Sequence, residues 1–296
     1  MDPLIYDIQK FSIHNGTGIR TTVFFKGCTM ACQWCHNPES IAFEKEMLLD
    51  EEACTVCGYC LKVCPSARII ENNKIKRILE NCDFCGACTV YCPQECNSIV
   101  GRKYTRNELV DELLKDLSFY ETSSGGVTFS GGEALCHEGY LKDVILALKA
   151  HDINITIDTC GHVPYAAIET LYPLVDTFLY DLKVMDDEKH EAYTQVSNKK
   201  VIDNLKKLSL VHEDIIIRVP LIEGVNTDDL NIKALVKLMK SLGLSKIDLL
   251  PYHSGGIHKR KQLKMKSYTF NAPSENKIQE IKECFESNNI SVRIGG

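Results

Sequence analysis

No run of eighteen apolar residues occurs in the sequence, so nothing in it is long and apolar enough to cross a bilayer as a helix. Residues 1–6 lack both the basic stretch and the apolar core of a secretory signal, and the expectation is a cytoplasmic protein with no membrane partner. Positive charge is scarce as well: 34 Lys and Arg against 40 Asp and Glu leave a formal net charge of -6, which argues against a general nucleic-acid binder. The 296 residues, 44% hydrophobic and 25% charged, are ordinary for a globular protein and suffice for one large core or a core with a small module. Cysteine is what the sequence has in excess. Fifteen of them would mean disulfides in a small exported chain, but without an export signal metal or redox chemistry is the better reading.

The chain is organised around Cys28-Thr29-Met30-Ala31-Cys32-Gln33-Trp34-Cys35-His36-Asn37-Pro38. Residues 21–25 are β-branched and aromatic and are predicted to form a strand, which puts the three thiols on a loop at a strand's carboxyl end. Thiolates spaced this closely can share an iron-sulfur cluster, yet three of them leave one iron of a four-iron cluster without a protein ligand. An open coordination position marks a catalytic rather than a structural metal centre. A zinc site completed by a distant histidine has the same local pattern and stays open on these residues alone.

CxxxCxxC with an aromatic residue, Trp34, before its last cysteine resembles the radical S-adenosylmethionine (SAM) superfamily. Phe11-Ser12-Ile13-His14-Asn15-Gly16-Thr17-Gly18-Ile19-Arg20 and Cys35-His36-Asn37-Pro38 resemble the activating enzymes of glycyl radical enzymes, and the resemblance runs over essentially the whole chain. It implies that Cys28, Cys32 and Cys35 hold a [4Fe-4S] cluster whose open iron is chelated by SAM. Reductive cleavage of SAM then gives a 5'-deoxyadenosyl radical, which takes a hydrogen from a glycine of the partner, a glycyl radical enzyme. The resemblance further implies flavodoxin or ferredoxin as electron donor and a place for residues 11–20 beside the cluster. A cluster with an open iron is vulnerable to oxygen, so an anaerobic setting is expected.

From about Phe43 the texture changes. Cys54-x2-Cys57-x2-Cys60-x3-Cys64-Pro65 is repeated as Cys82-x2-Cys85-x2-Cys88-x3-Cys92-Pro93, the bacterial ferredoxin signature in which the fourth cysteine of each run ligates the other cluster. The expected ligand sets are Cys54, Cys57, Cys60 and Cys92 for one [4Fe-4S] cluster and Cys82, Cys85, Cys88 and Cys64 for the other. That makes three clusters in all. A zinc ribbon would leave the third cysteine of each run and both prolines without a reason, and Cys96 reads as a spare structural thiol. Pairing across the repeat would staple a module too small for a large core. The expected domains are residues 1–43 and 101–296 as two parts of one catalytic domain, with 44–100 as a ferredoxin-like insert.

Beyond the insert an α/β pattern takes over. Thr105 and Glu108 form a capping box, followed by Leu109, Leu113, Leu114 and Leu117 at helical spacing. Strands are predicted over 126–130, 153–157, 178–182, 214–219, 246–250 and 290–294, and helices around 141–148 and over 198–208, 227–240 and 275–287. Strands separated by helices of this length mean βα units and a mostly parallel sheet. The family resemblance implies a partial (β/α)6 barrel; the pattern by itself is equally consistent with a full eight-stranded barrel or an open sheet.

Most of the polar clusters follow a strand and precede a helix, the edge where such sheets hold ligands. Ser130-Gly131-Gly132-Glu133 is a turn whose glycines allow backbone to approach a ligand; by itself a plain turn, it corresponds through the resemblance to the segment that meets the SAM amino group. Asp158, Thr159, Asp181 and Lys183 put two carboxylates and an ammonium on neighbouring strand ends, where a salt-bridged rim is the plainer reading. Through the resemblance Lys183 meets the SAM carboxylate. By the same route Asp158, Asp181 and the main-chain oxygens of Thr159 and Leu179 form a candidate monovalent-cation site. Arg218 ends an apolar strand and needs a partner if buried, for which the family implies SAM; His253 is expected near the adenosyl part, or simply as a capping histidine. The run His258-Lys259-Arg260-Lys261 reads as solvated surface or as a docking patch for an acidic donor or the partner enzyme. Cys136, Cys160 and Cys284 lack ligand spacing and read as buried small hydrophobes.

The leading functional expectation is therefore a monomeric activating enzyme that installs a glycyl radical. A radical SAM enzyme acting on a small molecule or another peptide is a second reading, and an electron-transfer protein, which leaves the Cys28 loop without a role, a third.

Overall fold

The structure, a computed structural model, describes residues 2–295. Its strands are β1 (Leu4–Ser12), β2 (Arg20–Phe25), β3 (Glu46–Leu49), β4 (Arg68–Glu71), β5 (Lys74–Arg77), β6 (Asn97–Val100), β7 (Arg102–Lys103), β8 (Gly126–Gly131), β9 (Asn154–Thr159), β10 (Thr177–Asp181), β11 (Ile215–Leu221), β12 (Lys246–Pro251) and β13 (Ser291–Ile294). Its helices are α1 (Tyr59–Val63), α2 (Ala87–Val90), α3 (Arg106–Leu114), α4 (Leu117–Ser123), α5 (Glu138–Lys149), α6 (Tyr165–Leu171), α7 (Asp187–Thr194), α8 (Lys199–Leu208), α9 (Asp229–Ser241), α10 (Gly255–Gln262) and α11 (Glu275–Glu286).

Nine strands form the main sheet in the order β13-β12-β11-β10-β9-β8-β2-β1-β7. From β2 through β8 to β13 neighbouring strands are parallel, and each new strand joins the same edge. Right-handed crossovers then lay the helices on one face of the sheet, and the sheet curls into a partial barrel. The side chains follow that asymmetry. Val23, Phe25, Val127, Phe129, Ile155, Ile157, Phe178, Tyr180, Ile217, Val219, Ile247 and Leu249 belong to the helix-covered core. The alternate residues are polar: Thr22, Thr128 and Thr156 lie in register on β2, β8 and β9, and Asp181, Arg218, Asp248 and Arg293 in one row across β10 to β13. Parallel strands ordinarily read as unbroken apolar runs; here alternate positions of β8 and β9 are polar because one face carries the helices and the other faces the barrel interior.

Three expectations change on this framework. Residues 4–12, for which no strand is predicted, form a nine-residue strand antiparallel to β2. The helix expected from Thr105 to beyond Leu117 has its capping box but divides into α3 and α4 at Asp116. That carboxylate is buried and accepts from Thr21 Oγ1 at 2.8 Å and Lys10 Nζ at 3.3 Å, which holds the chain out of helical register. The helices α6, α7 and α10 were not predicted, α7 and α10 because their sequences carry no clear apolar stripe.

Residues 46–100 leave and rejoin the barrel through the antiparallel pair β3 and β6, with Glu46 opposite Val100. Inside, the sequence repeat becomes a structural one. Gly58 (φ 78°) and Gly86 (φ 85°) adopt the left-handed conformation that starts α1 and α2. The hairpin β4–β5 lies between the two runs, and the buried hydrophobic cluster is only Met47, Cys60, Ile75 and Cys88.

Candidate active site

The loop of Cys28, Cys32 and Cys35 leaves the carboxyl end of β2 and is held by its own backbone. Gly27 N and Cys28 N donate to Ser40 O (2.8 Å) and Ile41 O (3.0 Å). Ala31 N and Gln33 N donate to Thr194 O and Tyr193 O at the end of α7, both at 3.0 Å. Thr29 Oγ1 reaches His162 O at 2.9 Å. From α10, the buried Arg260 donates to Cys32 O at 2.6 Å. Trp34 is buried against Tyr193 and Phe270. Burial pushes the Cys32 thiol up to about 12 and the Cys35 thiol up to about 11, so ligation by their thiolates releases protons.

Around the loop stand the carboxyl ends of β8 to β12. Asp158 Oδ2 accepts from Ser130 Oγ at 2.7 Å and lies 3.2 Å from Arg218 Nη1. Lys183 Nζ donates to Asp181 Oδ2 at 2.7 Å. Burial raises the Asp158 carboxyl and Arg218 opposes it. For Lys183 burial acts downward, but Asp181 beside it raises the ammonium well above its ordinary range. Arg218 Nε is buried without a partner among the described residues, which leaves a donor to be satisfied by a ligand. Thiols, paired carboxylates and cations, and that free N–H together suit an iron-sulfur cluster carrying a zwitterionic amino-acid moiety. Asp158 and Asp181, the candidate cation ligands, lie on adjacent strands with Leu179 paired to Asp158 and Thr159 next along; each carboxylate has a side-chain cation beside it.

The glycine turn after β8 has a reason within the chain. Gly131 has φ +116°, and a Cβ there would come within 2.2 Å of Phe25 N; at Gly132 it would come within 2.4 Å of Gly27 O and 2.5 Å of Ser40 O. These glycines therefore also let the turn approach the chain's own backbone, at the end of β2 and at Gly27 and Ser40. Glu133 is fully buried, and its carboxylate accepts from Thr159 Oγ1 (2.8 Å), Cys160 N (2.8 Å) and Leu135 N (3.1 Å). It fastens the end of β8 to the end of β9. His253 is exposed beside His36, their ring centroids 3.8 Å apart, and burial with the neighbouring imidazole lowers His36 to about 4.

Two readings are corrected here. The turn at residues 15–20 lies at the amino end of β2, about 17 Å along a six-residue strand from the thiols, not beside them. There the fully buried Arg20 closes the barrel floor, donating to Thr128 Oγ1 (2.7 Å), Val127 O (2.7 Å) and Asn154 Oδ1 (3.0 Å). Because β1 is antiparallel, it is Tyr6 that reaches the cysteine end; burial, then Glu39 and Cys35, raise its phenol. The basic run on α10 is solvated only in part: Arg260 is buried and Lys259 half-buried, while His258, Lys261 and Lys264 stay exposed. Lys259 pairs with Glu39 (2.5 Å) and His258 with Asp50 (3.3 Å), and Lys261 and Lys264 lie near Glu52 and Glu51 at 3.6 and 3.5 Å. Sequence reasoning missed Tyr6, Arg260 and the Asp248–Arg293 pair, whose partners are remote in the chain. Cys160 is buried in the core as expected, and its thiol also faces Cys28.

In the insert, Cys54, Cys57, Cys60 and Cys92 line one pocket together with Cys96, the first expected ligand set with the spare thiol beside it. Cys88 is buried beside Arg68.

Comparison with known proteins agrees with this arrangement. The Radical SAM superfamily model matches residues 73–236, more than half the chain. A 4Fe-4S dicluster domain matches 46–97 and a 4Fe-4S single cluster domain 14–63, the segment that contains the Cys28 loop. The chain is 43% identical over 302 aligned positions, covering all of both proteins, to a trans-4-hydroxy-L-proline dehydratase activating enzyme of Clostridioides difficile. To a choline trimethylamine-lyase activating enzyme of Oleidesulfovibrio alaskensis it is 35% identical, over 98% of this chain and 97% of that one. Among solved structures, a domain of a pyruvate-formate lyase-activating enzyme from Bacteroides vulgatus superposes with a TM-score of 0.51 at 30% identity, over 58% of this chain and 99% of its own. A radical SAM methyltransferase from Sphaerobacter thermophilus, 16% identical, shares the fold with a TM-score of 0.52 over 72% of this chain and 61% of its own. With a pinned three-cysteine loop at the mouth of a partial barrel and a dicluster insert beside it, the chain belongs to the radical SAM superfamily and, within it, to the activating enzymes that generate a glycyl radical on a partner enzyme through cleavage of SAM.

Proposed function

We propose that the chain holds three [4Fe-4S] clusters, on Cys28, Cys32 and Cys35, on Cys54, Cys57, Cys60 and Cys92, and on Cys82, Cys85, Cys88 and Cys64. The division into residues 1–43, 44–100 and 101–296 goes with that assignment and is supported by the β3–β6 neck. The observation that carries the reading is the Cys28 loop, fastened by α7, α10 and residues 40–41 beside a wall of paired charges. Fixing a ligand set in advance of reaction is what orientation-dependent chemistry requires.

When bound, the cofactors supply a carbon radical able to take an α-hydrogen from glycine. The chain's own residues bind and orient. Lys183 supports the SAM carboxylate, with Asp181 holding its ammonium in place. Arg218, fixed by Asp158, offers its free Nε–H to the ribose or carboxylate, and His253 flanks the adenosyl part. The backbone of Gly131 and Gly132 meets the SAM amino group, while Glu133 positions that turn. Trp34 backs the cysteine loop. A monovalent cation between Asp158, Thr159, Leu179 and Asp181 would add to the carboxylates' neutralisation. Flavodoxin or ferredoxin donates electrons, the insert relays them, and the protein works as a cytoplasmic monomer in an anaerobic setting. The 43% identical relative supports a dehydratase-type glycyl radical enzyme as the first partner to try.

The test is isotopic. A candidate partner made with glycine deuterated at both α positions is incubated anaerobically with this protein, SAM and a low-potential reductant. Deuterium is expected in 5'-deoxyadenosine, with a partner radical whose main doublet splitting has collapsed. Formation of 5'-deoxyadenosine without deuterium and without a partner radical would instead favour a small-molecule or other-peptide substrate.

A further inference from the structure

Two arginines of the insert lack the partners that buried cations need. Arg68 is 2% exposed. Its Nη2 donates to Cys88 Sγ at 3.0 Å and lies 2.7 Å from Met47 Sδ, while its Nη1 is buried with no partner. Directly opposite on the β4–β5 hairpin stands Arg77. Arg77 donates to Met47 O and to Gln262 O at the end of α10, and its Nε too is buried and unpartnered. Among the described residues neither guanidinium has a carboxylate at ion-pair distance; Glu51 and Glu71 of the insert pair with Lys74 and Lys76. Two like charges facing each other across a hairpin repel, and each loses hydration on burial.

The missing counter-charge is identified by what surrounds them. Arg68 touches Cys88, and Arg77 lies within electrostatic reach of Glu51, which is itself paired with Lys74, and of Cys82 and Cys88. These two cysteines belong to one expected ligand set, and four thiolates around an iron-sulfur core carry net negative charge. The orphaned N–H groups therefore suit a cluster at this site, its sulfur atoms being acceptors. One-electron reduction adds a negative charge to a cluster, and a neighbouring cation with N–H to sulfur hydrogen bonds favours the reduced form. Of the other set, Cys54, Cys57, Cys60 and Cys92, Cys60 also feels Arg68, whereas Arg77 acts on Cys82 and Cys88.

Resting on the ligand assignment above, we propose that Arg68 and Arg77 make the cluster of Cys82, Cys85, Cys88 and Cys64 the higher-potential of the two in the insert. Electrons from the donor collect on that cluster first. The relay within the insert is thereby given a direction by two side chains outside the ligand set.

The experiment uses the full chain with Cys28, Cys32 and Cys35 replaced by alanine, so that only the insert clusters titrate. It is reconstituted anaerobically and titrated with dithionite and redox mediators, read by electron paramagnetic resonance. Adding Cys85→Ala should remove the higher-potential signal and leave the lower. Arg68→Gln and Arg77→Gln should each lower the higher potential by a factor of about ten in the reduction equilibrium, about 59 mV for one electron, and move the lower potential less. Arg68→Lys, which keeps the charge, should retain most of the wild-type value. If Arg68→Gln cannot keep its iron, Arg77→Gln and Arg68→Lys decide, and a potential unmoved in Arg77→Gln overturns the proposal. Equal shifts of both clusters, or loss of the lower-potential signal in Cys85→Ala, overturn it too. Iron analysis finding fewer than two clusters in the insert would refute the ligand assignment and the proposal together; a full complement with unmoved potentials refutes the proposal alone.

Discussion

Single side chains in this protein divide into those that offer a group to a ligand and those that hold another residue still. Lys183 is of the first kind in our reading. Replacing it with alanine should leave iron content unchanged and weaken SAM binding about tenfold or more, since a charge-assisted hydrogen bond contributes on the order of 1.5–3 kcal/mol. A SAM titration followed by electron paramagnetic resonance checks this, and an unchanged Kd rejects the role. Glu133 is of the second kind. Its three donors include the Leu135 and Cys160 amides, so Glu133→Gln brings an amide N–H against a backbone N–H. Loss of that acceptor in a buried place should cost about 1–3 kcal/mol, seen as a lower Tm of the anaerobically purified protein. The sequence marks Glu133 only as part of a glycine turn; that its carboxylate points inward follows from the packing of β8 on β9.

At the scale of elements, α10 joins three parts of the molecule. Arg260 holds Cys32, Lys259 holds Glu39, and His258 and Gln262 meet Asp50 at the neck of the insert. Its sequence, with Gly255 and Gly256 at the start and a basic run after, has little helix signal because its stability comes from these partners rather than from an apolar face. Arg260→Ala should therefore loosen the cysteine loop: about four irons per chain become easier to remove with a chelator, while the insert keeps its own. Equal chelator sensitivity in wild type and variant would contradict this. The glycine turn gives the converse case. Gly132→Ala has no room against Gly27 O and Ser40 O, and the displaced loop should fail to hold its cluster on reconstitution, an outcome read as an iron count about four below wild type.

For the molecule as a whole, the proposed three clusters predict about twelve irons per chain after anaerobic reconstitution, falling by about four when Cys28, Cys32 and Cys35 are all alanine. A count that stays near twelve in that variant would sink the assignment of the catalytic loop. What the sequence by itself determined is whatever depends on short spacing. CxxxCxxC, the two ferredoxin runs, the Thr105–Glu108 cap and the alternation of βα units were all legible, because thiols two or three residues apart and side chains at a fixed period meet through local geometry alone. What only the tertiary structure decided are pairings between residues far apart in the chain. Arg260 and Cys32 are 228 residues apart, and no spacing rule connects them. The direction of β2 sent Arg20 to the floor of the barrel and the cysteines to its mouth. The docking of α10 buried Arg260 and set Lys259 against Glu39, while the rest of its basic run stays exposed. The β4–β5 hairpin set Arg68 and Arg77 face to face beside the insert's thiols. In each case a charged residue looks solvated in the sequence, and its cost of burial is met only once the fold brings neutral acceptors, a counter-charge or a ligand to it.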